Sequence, residues 1–253
     1  MRLRFVDSGP GAPGALNMAI DEALLGSISG GESPPTLRFY GWSPPCVTVG
    51  YFQSLEAEVD LEACRREGVE AVRRLTGGGA VFHDAELTYS LVLPLGHELA
   101  PEDILESYRG ICAGLVRGLA LLGVEAFFAP INDIAAGGKK ISGNAQTRRR
   151  GCLLQHGTVL LDLDPDRMFT LLKVPAEKLK GRLVEDVKAR VTSLRGLLGR
   201  PVGHEEASSA LQRGFAQAWG AELEAASFSE AELAEARRLA AERFSRPEWN
   251  LRR

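Results

Sequence analysis

The sequence predicts an α+β fold, in which a mixed and largely antiparallel sheet is flanked by helices. Strand patterns occur in consecutive groups, and helical patterns are interspersed among them irregularly. A regular alternation of strands and helices would predict a parallel sheet instead. The chain has 253 residues and 45% hydrophobic content, enough for one large core without disulfides or a metal.

In the first half of the chain, short apolar runs separated by turns predict strands at residues 3–7, 36–40, 46–51, 69–75 and, as one or two strands, 80–94. The first strand ends in the turn GPGAPG. A helix is expected from Ala15 to Leu25, where apolar residues recur at helical spacing, and another at 54–67, which ends at a glycine.

In the second half, residues 101–123 predict a long helix, because Pro, Glu and Asp suit its first turn and a long apolar stripe follows. Strands are expected at 124–130 and 152–163, with a hairpin between them, and the chain turns helical and charged after Asp164. Residues 229–244 predict an amphipathic helix supported by Glu/Arg spacing. A loop at 199–206 is a candidate boundary, which separates the core from two C-terminal helices. We therefore expect one domain over 1–253, with a C-terminal helical segment, 204–253, packed on it.

Composition excludes several classes of protein. A formal net charge of −3 argues against a general nucleic-acid binder. No apolar run approaches the ~18 residues that a membrane helix needs, and no signal peptide is recognisable. The four cysteines are widely spaced, with no C-x-x-C pair, which indicates reduced buried thiols and neither a zinc site nor a disulfide framework. We expect a cytoplasmic protein that binds neither nucleic acid nor membrane.

The stretch RRLTGGGAVFHD, residues 73–84, places three glycines directly before an apolar strand. Glycine lets a ligand come against the main chain, and successive N–H groups in such a turn can bind an anion. Arg73 and Arg74 add positive charge suited to phosphate or carboxylate. The stretch therefore indicates a seat for an anionic group or, as the plainer alternative, a tight turn with surface arginines. It matches neither GxxxxGK[ST] nor GxGxxG.

A second cluster lies in NDIAAGGKKISG, where the first Gly-Gly pair predicts a two-residue hairpin loop. In that register Ala135 lies opposite Lys140, and Asp133 lies opposite Ser142. Because side chains alternate between faces, Asp133, Lys140 and Ser142 then share one face. Lys139 falls on the other face near the turn and is expected to be solvated. The pattern nominates Lys140 as a functional residue.

Together the two motifs resemble the lipoate–protein ligase family, which is grouped with biotin ligases and octanoyltransferases. They read R-R-x-[ST]-G-G-G-A-V-x-H-D and N-D-x(6–7)-K-[IV]-S-G-x-A. The similarity runs along the chain through NMAIDEALL, LRFYGWSPPCVTVGYFQ, QHGTVLLDLD, RVTSL and EWN. The resemblance implies a biotin/lipoate ligase-like catalytic domain.

The resemblance further implies a two-step reaction. Lipoate, the substrate, and ATP give lipoyl-adenylate, and the lipoyl group then passes to a lysine of a lipoyl-acceptor protein. A carboxylate that attacks phosphorus brings two anions together, so the site must supply positive charge and backbone donors. The expected protein is thus an ATP-dependent ligase that uses Mg²⁺.

Residue roles follow from the same resemblance. Lys140 is the catalytic residue, which bridges the acyl carbonyl and the α-phosphate. Asp133 is the candidate Mg²⁺ contact, because Mg²⁺ prefers carboxylates with phosphate oxygens. The nucleotide and adenylate are expected on Arg74, Gly77, Gly78, Gly79, Ala80, Val81, Phe82, Asn132, Asp133, Ser142, Gly143 and Ala145. Trp42, His83 and His156 are expected to line the acyl slot, although each could be an ordinary packed residue.

Two alternatives stay open. One is an octanoyltransferase of the same fold, which takes octanoyl from acyl carrier protein through a covalent cysteine. Relatives that use a cysteine carry it shortly before the position of Asn132, where this chain has EAFFAP, and Cys152 lies in an apolar strand, which indicates an inert thiol. The sequence therefore favours the ligase. The other alternative is a lipoate-binding protein that no longer activates its ligand.

Known bacterial ligases of the family carry a further C-terminal domain of ~80–90 residues, for which this sequence has no room by the usual domain sizes. Some relatives instead need a small separate partner for activation. We therefore expect a separate accessory protein, besides the lipoyl-acceptor protein, as a partner.

Overall fold

A computed structural model of the chain describes residues 1–173, 185 and 189–252. Its strands are β1 Arg2–Asp7, β2 Thr36–Tyr40, β3 Cys46–Val49, β4 Glu70–Arg73, β5 Val81–His83, β6 Glu86–Pro94, β7 Ala126–Ala129, β8 Asp133–Ala136, β9 Lys139–Arg149, β10 Cys152–Leu160 and β11 Glu222–Ala225. Its helices are α1 Gly14–Ser29, α2 Leu55–Glu58, α3 Leu61–Arg66, α4 Ile104–Leu121, α5 Pro165–Leu171, α6 Leu194–Leu198, α7 His204–Trp219, α8 Glu230–Leu239 and α9 Pro247–Asn250, with a π-helical turn at Ala240–Phe244.

The described strands form two sheets. The larger has eight strands in the order β11-β1-β2-β6-β10-β9-β8-β7, and the smaller has the order β4-β3-β5. In the larger sheet the pairs β1–β2 and β1–β11 are parallel, and every other pair is antiparallel. Helices cover this sheet, so the predicted α+β fold with a mixed, largely antiparallel sheet is confirmed.

Strand β6 lies at the centre of the core, and all its residues before Pro94 are buried. Because successive side chains point to opposite faces, Leu87 and Leu91 join the apolar cluster that α4 and α7 complete. Val92 joins the cluster completed by α1 and α8 on the other face. The central strand is therefore buried on both faces: one face is apolar, and the other carries Glu86, Thr88 and Ser90 before it reaches Val92.

Helices α4 and α7 approach each other closely through glycines. A Cβ atom at Gly214 would lie 2.2 Å from the backbone nitrogen of Gly118. One at Gly114 would lie 1.9 Å from Phe215 Cδ1. Side chains at these two positions would force the helices apart.

The single helix predicted at 54–67 is wrong in one respect, because the segment forms two short helices. Val59 between them is fully buried with extended backbone, and it bridges to Leu172. Asp60 then caps α3, since its Oδ1 accepts hydrogen bonds from the Glu62 and Ala63 amides. The burial of Val59 and the N-cap at Asp60 thus override the helical periodicity of the sequence.

The predicted hairpin forms, but its register is only partly as predicted. Its two loop glycines, 137 and 138, have φ of +56° and +74°, and Ala135 lies opposite Lys140 as expected. The predicted pairing of Asp133 with Ser142 is wrong: a β-bulge places Asp133 opposite Gly143 instead. The bulge coincides with further pairing of β9. There the Lys140 amide donates to the Arg190 carbonyl at 2.7 Å, and the Lys140 carbonyl accepts from Thr192 N at 2.8 Å.

The C-terminal segment contributes more than helices. After α7, strand β11 pairs in parallel with β1 and extends the large sheet, and α8 then packs against α1. The division into one domain with an appended segment stays a prediction. Most of the charged, helical stretch predicted after Asp164, residues 174–184 and 186–188, lies outside the described residues, whereas α5 confirms its beginning.

Arg73 joins the end of the chain to the loop after β3. Its fully buried guanidinium donates to the carbonyls of Gly50, Tyr51 and Gln53. It also donates to three carbonyls of 249–252, and the Trp249 indole donates to the Arg73 carbonyl. This arginine is therefore bound by main-chain oxygens and does not supply charge to a ligand. Among the described helices, none is long and apolar enough to cross a membrane.

Candidate active site

A cavity of about 390 Å³ lies between the two sheets and is lined by both of them, by the glycine loop and by α5. It brings together most of the predicted site residues: Trp42, Arg74, Gly78, Gly79, Ala80, Val81, Phe82, His83, Asn132, Lys140, Ser142, Gly143, Ala145 and His156. Gly77 and Asp133 do not line it. Two motifs that lie about sixty residues apart in sequence therefore meet at one cavity, as their chemistry predicts.

The glycine loop lies against the chain that follows β3. Gly78 has a φ of +95°, a conformation open mainly to glycine. A Cβ at Gly50 would lie 2.1 Å from the Gly78 carbonyl oxygen, so two backbones touch at this point. The requirement for glycine is therefore partly structural: the loop needs a left-handed residue and a neighbour without a side chain.

The buried side chain of Arg74 holds this loop in place through hydrogen bonds. Its guanidinium donates to the carbonyls of Gly77 at 2.7 Å and Gly79 at 2.8 Å, and its side chain is almost completely buried. Burial lowers the pKa of the guanidinium to about 10. Arg74 thus contributes a fixed positive charge beside the cavity, with several of its donors already used by protein oxygens.

Two threonine–histidine–carboxylate chains hold Arg74 in place. In the first, Thr48 Oγ1 accepts from Arg74 at 3.1 Å and lies 2.8 Å from His83 Nε2. His83 Nδ1 lies 2.7 Å from Glu86 Oε1. Because an ionised carboxylate only accepts, His83 donates to Glu86 from Nδ1, and in the neutral imidazole Nε2 is then the acceptor for the Thr48 hydroxyl. Asp84, the neighbour of His83 in sequence, pairs with Arg167 instead.

The second chain repeats this arrangement on the other side of the guanidinium. Thr76 Oγ1 accepts from Arg74 Nε at 3.2 Å and lies 2.7 Å from His156 Nε2, and His156 Nδ1 lies 3.2 Å from Asp21 Oδ2. Burial lowers the pKa of His156, which favours the neutral ring. Burial raises the pKa of Asp21, but the hydrogen bond from His156 and the charge of Arg38 lower it by more.

Trp42 and α5 form the apolar side of the cavity. The Trp42 indole donates to Thr88 Oγ1 at 2.8 Å, and its ring stacks on His83 with 4.0 Å between centroids. Met168 and Phe169 of α5 close the cavity on another side. The sequence did not nominate Met168 or Phe169, and their only signal is apolar character at the start of a charged stretch.

Lys140 lies at the cavity in an ion pair with Asp133. Its Nζ is 2.6 Å from Asp133 Oδ1, and the two side chains are 44% and 35% exposed. A Cβ at Gly143 would lie 2.8 Å from this Nζ, so the absence of a side chain at 143 makes room for the lysine. Lys139, one residue earlier, is exposed and does not line the cavity. The nomination of Lys140 over Lys139 agrees with this placement.

The Mg²⁺ contact expected at Asp133 stays a prediction. Mg²⁺ sites use one or two carboxylates with phosphate oxygens and waters. Here Asp133 offers one carboxylate, which is already paired with Lys140. Within the described ranges, no group of three or more His, Cys, Asp or Glu side chains could hold a metal.

None of the four cysteines lines the cavity, and all four are described and buried. Burial raises the pKa of Cys64 to about 11 and that of Cys112 to about 12, and it also raises the pKa of Cys46 and Cys152. These thiols are therefore protonated and enclosed, in contrast to the accessible thiolate that nucleophilic catalysis requires.

Comparison with known proteins defines the class. The family model of the lipoyl protein ligase A/B catalytic domain matches residues 13–216. The chain belongs to this family, and it is an enzyme of the lipoate ligase and octanoyltransferase group.

The similar curated proteins indicate a more specific class within this group. Octanoyltransferase LipM of Geobacillus kaustophilus (strain HTA426) is 41% identical, over 99% of this chain and 98% of the relative. Octanoyltransferase LipM of Bacillus subtilis (strain 168) is 37% identical with the same coverage.

Solved structures show the same fold. A bi-partite lipoate protein ligase of Thermoplasma acidophilum, described with its E2 lipoyl domain, aligns with a TM-score of 0.87 and 33% identity over 99% of this chain and 96% of that chain. A lipoate-protein ligase A bound with ATP aligns with a TM-score of 0.83 and 33% identity, over 99% of this chain and 98% of that chain.

The expectation of ATP-dependent lipoate activation is wrong, because the similar curated proteins are octanoyltransferases over nearly the full length of the chain. The reason is chemical. A glycine-lined backbone turn and one lysine suit any activated acyl group, whether its leaving group is AMP or a thiol, so the two motifs do not separate the reactions. The missing cysteine near Asn132, which favoured the ligase, does not outweigh this similarity.

Proposed function

We propose that this protein transfers an octanoyl group from acyl carrier protein to the side-chain amine of a lysine on a lipoyl-acceptor protein. The observation that carries the proposal is the 41% identity to an octanoyltransferase over 99% of the chain. The cavity supports it, because its lining combines apolar side chains with a lysine and the backbone of the glycine loop.

The acyl chain would lie along the apolar wall. Trp42, Phe82 and Met168 contribute to this wall, and a volume of about 390 Å³ falls within the range of pockets that enclose small ligands. Burying the chain there removes apolar surface from water, at about 0.8 kcal/mol per CH₂ group. The carbonyl of the acyl group would then lie towards Lys140.

Lys140 is the proposed electrostatic catalyst. When an amine attacks the thioester, negative charge develops on the carbonyl oxygen, and a fixed ammonium stabilises that charge in a partly enclosed site. Gly78 and Gly79 let the head of the substrate lie against the backbone. Arg74 adds positive charge from behind the loop.

The lipoyl-acceptor protein is the proposed receiver of the acyl group. The structural neighbour from Thermoplasma acidophilum is described together with its E2 lipoyl domain, which supports a partner of this class. The carrier protein is the proposed donor, in keeping with the octanoyltransferase relatives.

The test is a reconstituted reaction that contains the protein, an apo lipoyl-acceptor domain and octanoyl-acyl carrier protein, without ATP. We expect the acceptor to gain the mass of one octanoyl group. A parallel reaction receives lipoate, ATP and Mg²⁺ in place of the carrier. Modification only in that parallel reaction, or in neither, would overturn the proposal.

A further inference from the structure

The run of three arginines at the end of β9 contains one charge without a carboxylate partner. Arg148 donates to two backbone carbonyls just before α4. Arg150 Nη2 lies 3.5 Å from Glu22 Oε1. Arg149, in contrast, forms no salt bridge within the described part of the chain, and its Cζ atom lies 4.2 Å from the centroid of the Tyr51 ring. Its guanidinium is therefore held by an aromatic ring and keeps its charge available.

Arg252 brings a second positive charge to the same ring. Its Cζ atom lies 4.0 Å from the Tyr51 centroid and 3.8 Å from the centroid of the Trp249 six-membered or five-membered ring system. Arg252 also forms no salt bridge with any residue that the structure describes. Burial lowers the pKa of the Arg73 guanidinium, and the charge of Arg252 lowers it further. Positive charge thus accumulates here, in a protein whose formal net charge is −3.

An exposed aromatic side chain lies beside these arginines. Phe52 is 84% exposed, and its ring meets the Tyr51 ring edge-on with 5.0 Å between centroids. Aromatic residues and arginine are the side chains enriched where proteins bind one another. We call Tyr51, Phe52, Arg149 and Arg252 the arginine–aromatic patch.

The arginine–aromatic patch is continuous with the cavity. The Tyr51 amide donates to the Thr76 carbonyl at 2.8 Å, where the glycine loop begins. On β9, Ala145 lines the cavity, and Arg149 follows four residues later on the same face, because side chains alternate between faces. Four residues of strand span ~13 Å. The patch is therefore a short distance from the cavity along one strand.

We propose that the arginine–aromatic patch binds the phosphate of the phosphopantetheine arm on which acyl carrier protein presents its octanoyl thioester. The inference rests on the function proposed above. Guanidinium groups bind phosphate oxygens through paired charge-assisted hydrogen bonds, and two of them meet at this patch. The acceptor lysine brings no phosphate, so the chemistry of the patch selects the carrier.

The length of the arm agrees with this placement. The arm has about 13 covalent bonds between phosphorus and sulfur, and it spans ~16 Å when extended, at the ~3.8 Å per three bonds of a polypeptide backbone. This length is close to the ~13 Å of strand that separates Ala145 from Arg149. A phosphate bound at Arg149 therefore leaves the thioester at the cavity.

Two small substrates that differ only in the phosphate test the proposal. We expect the full-length protein to use octanoyl-phosphopantetheine with a kcat/KM about tenfold above that for octanoyl-pantetheine, the usual effect of a hydrogen bond to a charged group. Arg149→Ala should reduce this preference, and Arg149→Ala with Arg252→Ala should abolish it. Turnover of octanoyl-pantetheine should stay unchanged in both variants, which shows that the fold and the cavity are intact.

Arg213→Ala is the matched control, because Arg213 is an exposed arginine of α7, and it should keep the full preference for the phosphorylated substrate. With intact proteins, Arg149→Glu should raise the KM for octanoyl-acyl carrier protein about tenfold and leave the KM for the acceptor domain unchanged.

The outcomes separate the patch from the function. An equal preference for the phosphorylated substrate in the parent protein and the double variant overturns the patch and leaves the function standing. A rise in the KM for the acceptor domain in place of the carrier assigns the patch to the acceptor and also overturns the proposal. Absence of transfer from octanoyl-acyl carrier protein by the parent protein overturns the function and the patch together.

Discussion

Lys140 is a partly exposed lysine whose position depends on its neighbours. The bulge in β9 puts Gly143 opposite Asp133, and the missing side chain at 143 leaves room for the Lys140 ammonium beside that carboxylate. The arrangement contributes little to stability, because an exposed ion pair is worth about 0–1 kcal/mol. Its value is to hold one ammonium at the cavity.

Replacing Lys140 should therefore remove activity and leave the fold intact. We expect Lys140→Ala to lower kcat for acyl transfer by about 10²–10³-fold, the usual loss when one oxyanion donor is removed. Lys139→Ala, its exposed neighbour, is the matched control and should transfer normally. Near-normal turnover in Lys140→Ala would remove this lysine from the mechanism.

Gly143 offers a subtler change at the same site. A methyl group at 143 would lie 2.8 Å from Lys140 Nζ and 2.9 Å from its Cε, so the flexible side chain has to move away. We expect Gly143→Ala to lower kcat with little change in the free energy of unfolding. Gly77→Ala is the control, because no atom lies within 4 Å of a Cβ there. Equal activities of the two variants would contradict the packing argument.

At the scale of elements, the hairpin shows what a local pattern can predict. The Gly-Gly loop and the pairing of Ala135 with Lys140 follow from residues next to each other in sequence. The bulge does not, because it accompanies the pairing of Lys140 with residues 190–192, which lie fifty positions further on. Sequence alternation alone therefore nominated the lysine that lines the cavity but gave Asp133 the wrong partner.

The crossing of α4 and α7 gives a stability prediction. Alanine at Gly214 would place its Cβ 2.2 Å from Gly118 N and 2.4 Å from Gly118 Cα, which are backbone atoms that move only with the helix. We expect Gly214→Ala to lower the free energy of unfolding by about 1–3 kcal/mol. Urea denaturation measures the change.

Gly110→Ala in α4 is the matched control, since the nearest atom to its added Cβ is 3.9 Å away. Alanine favours a helix over glycine by up to about 1 kcal/mol, so this variant should be equally or more stable than the parent protein. Equal destabilisation of both variants would show that the helices do not cross closely at Gly214.

At the scale of the whole molecule, the fold class and the meeting of two motifs at one cavity could be predicted from sequence. The consecutive grouping of strand patterns predicted the mixed sheet. The chemistry of the residues nominated Lys140 and the glycine loop as parts of the site. The acids of the buried chains, Asp21 and Glu86, could not be predicted, because each reaches its histidine through tertiary packing. Thr76 lies inside the glycine motif, yet its partner His156 is eighty residues away.

Stability of the whole protein should fall in acid. Burial lowers the pKa of His156 below its ordinary 6.5, so the unfolded chain binds a proton at a higher pH than the folded one. The stabilisation from the neutral ring is therefore complete above about pH 6.5 and is lost as pH falls below it. The pKa of Asp21 is also lowered, from 3.8, so its contribution is lost only at still lower pH.

Denaturation at about pH 7.5 and about pH 5.5 should show this loss, with His156 contributing a slope of up to about 1.4 kcal/mol per pH unit. His156→Gln should have a shallower dependence on pH than the parent protein. His97, whose pKa burial also lowers, contributes in the same direction, and His97→Gln separates its share. An unchanged slope in His156→Gln would contradict the assignment.

The shell of carbonyl oxygens around Arg73 resembles a crown ether that encloses a cation, and half of it comes from residues 249–252. Trp249 completes the connection, since its indole nitrogen donates to the Arg73 carbonyl at the end of the strand that leads into the glycine loop. The fluorescence of this tryptophan is thus an intrinsic reporter of that strand. Displacement of the loop by an acyl substrate would change the emission of a residue at the opposite end of the sequence.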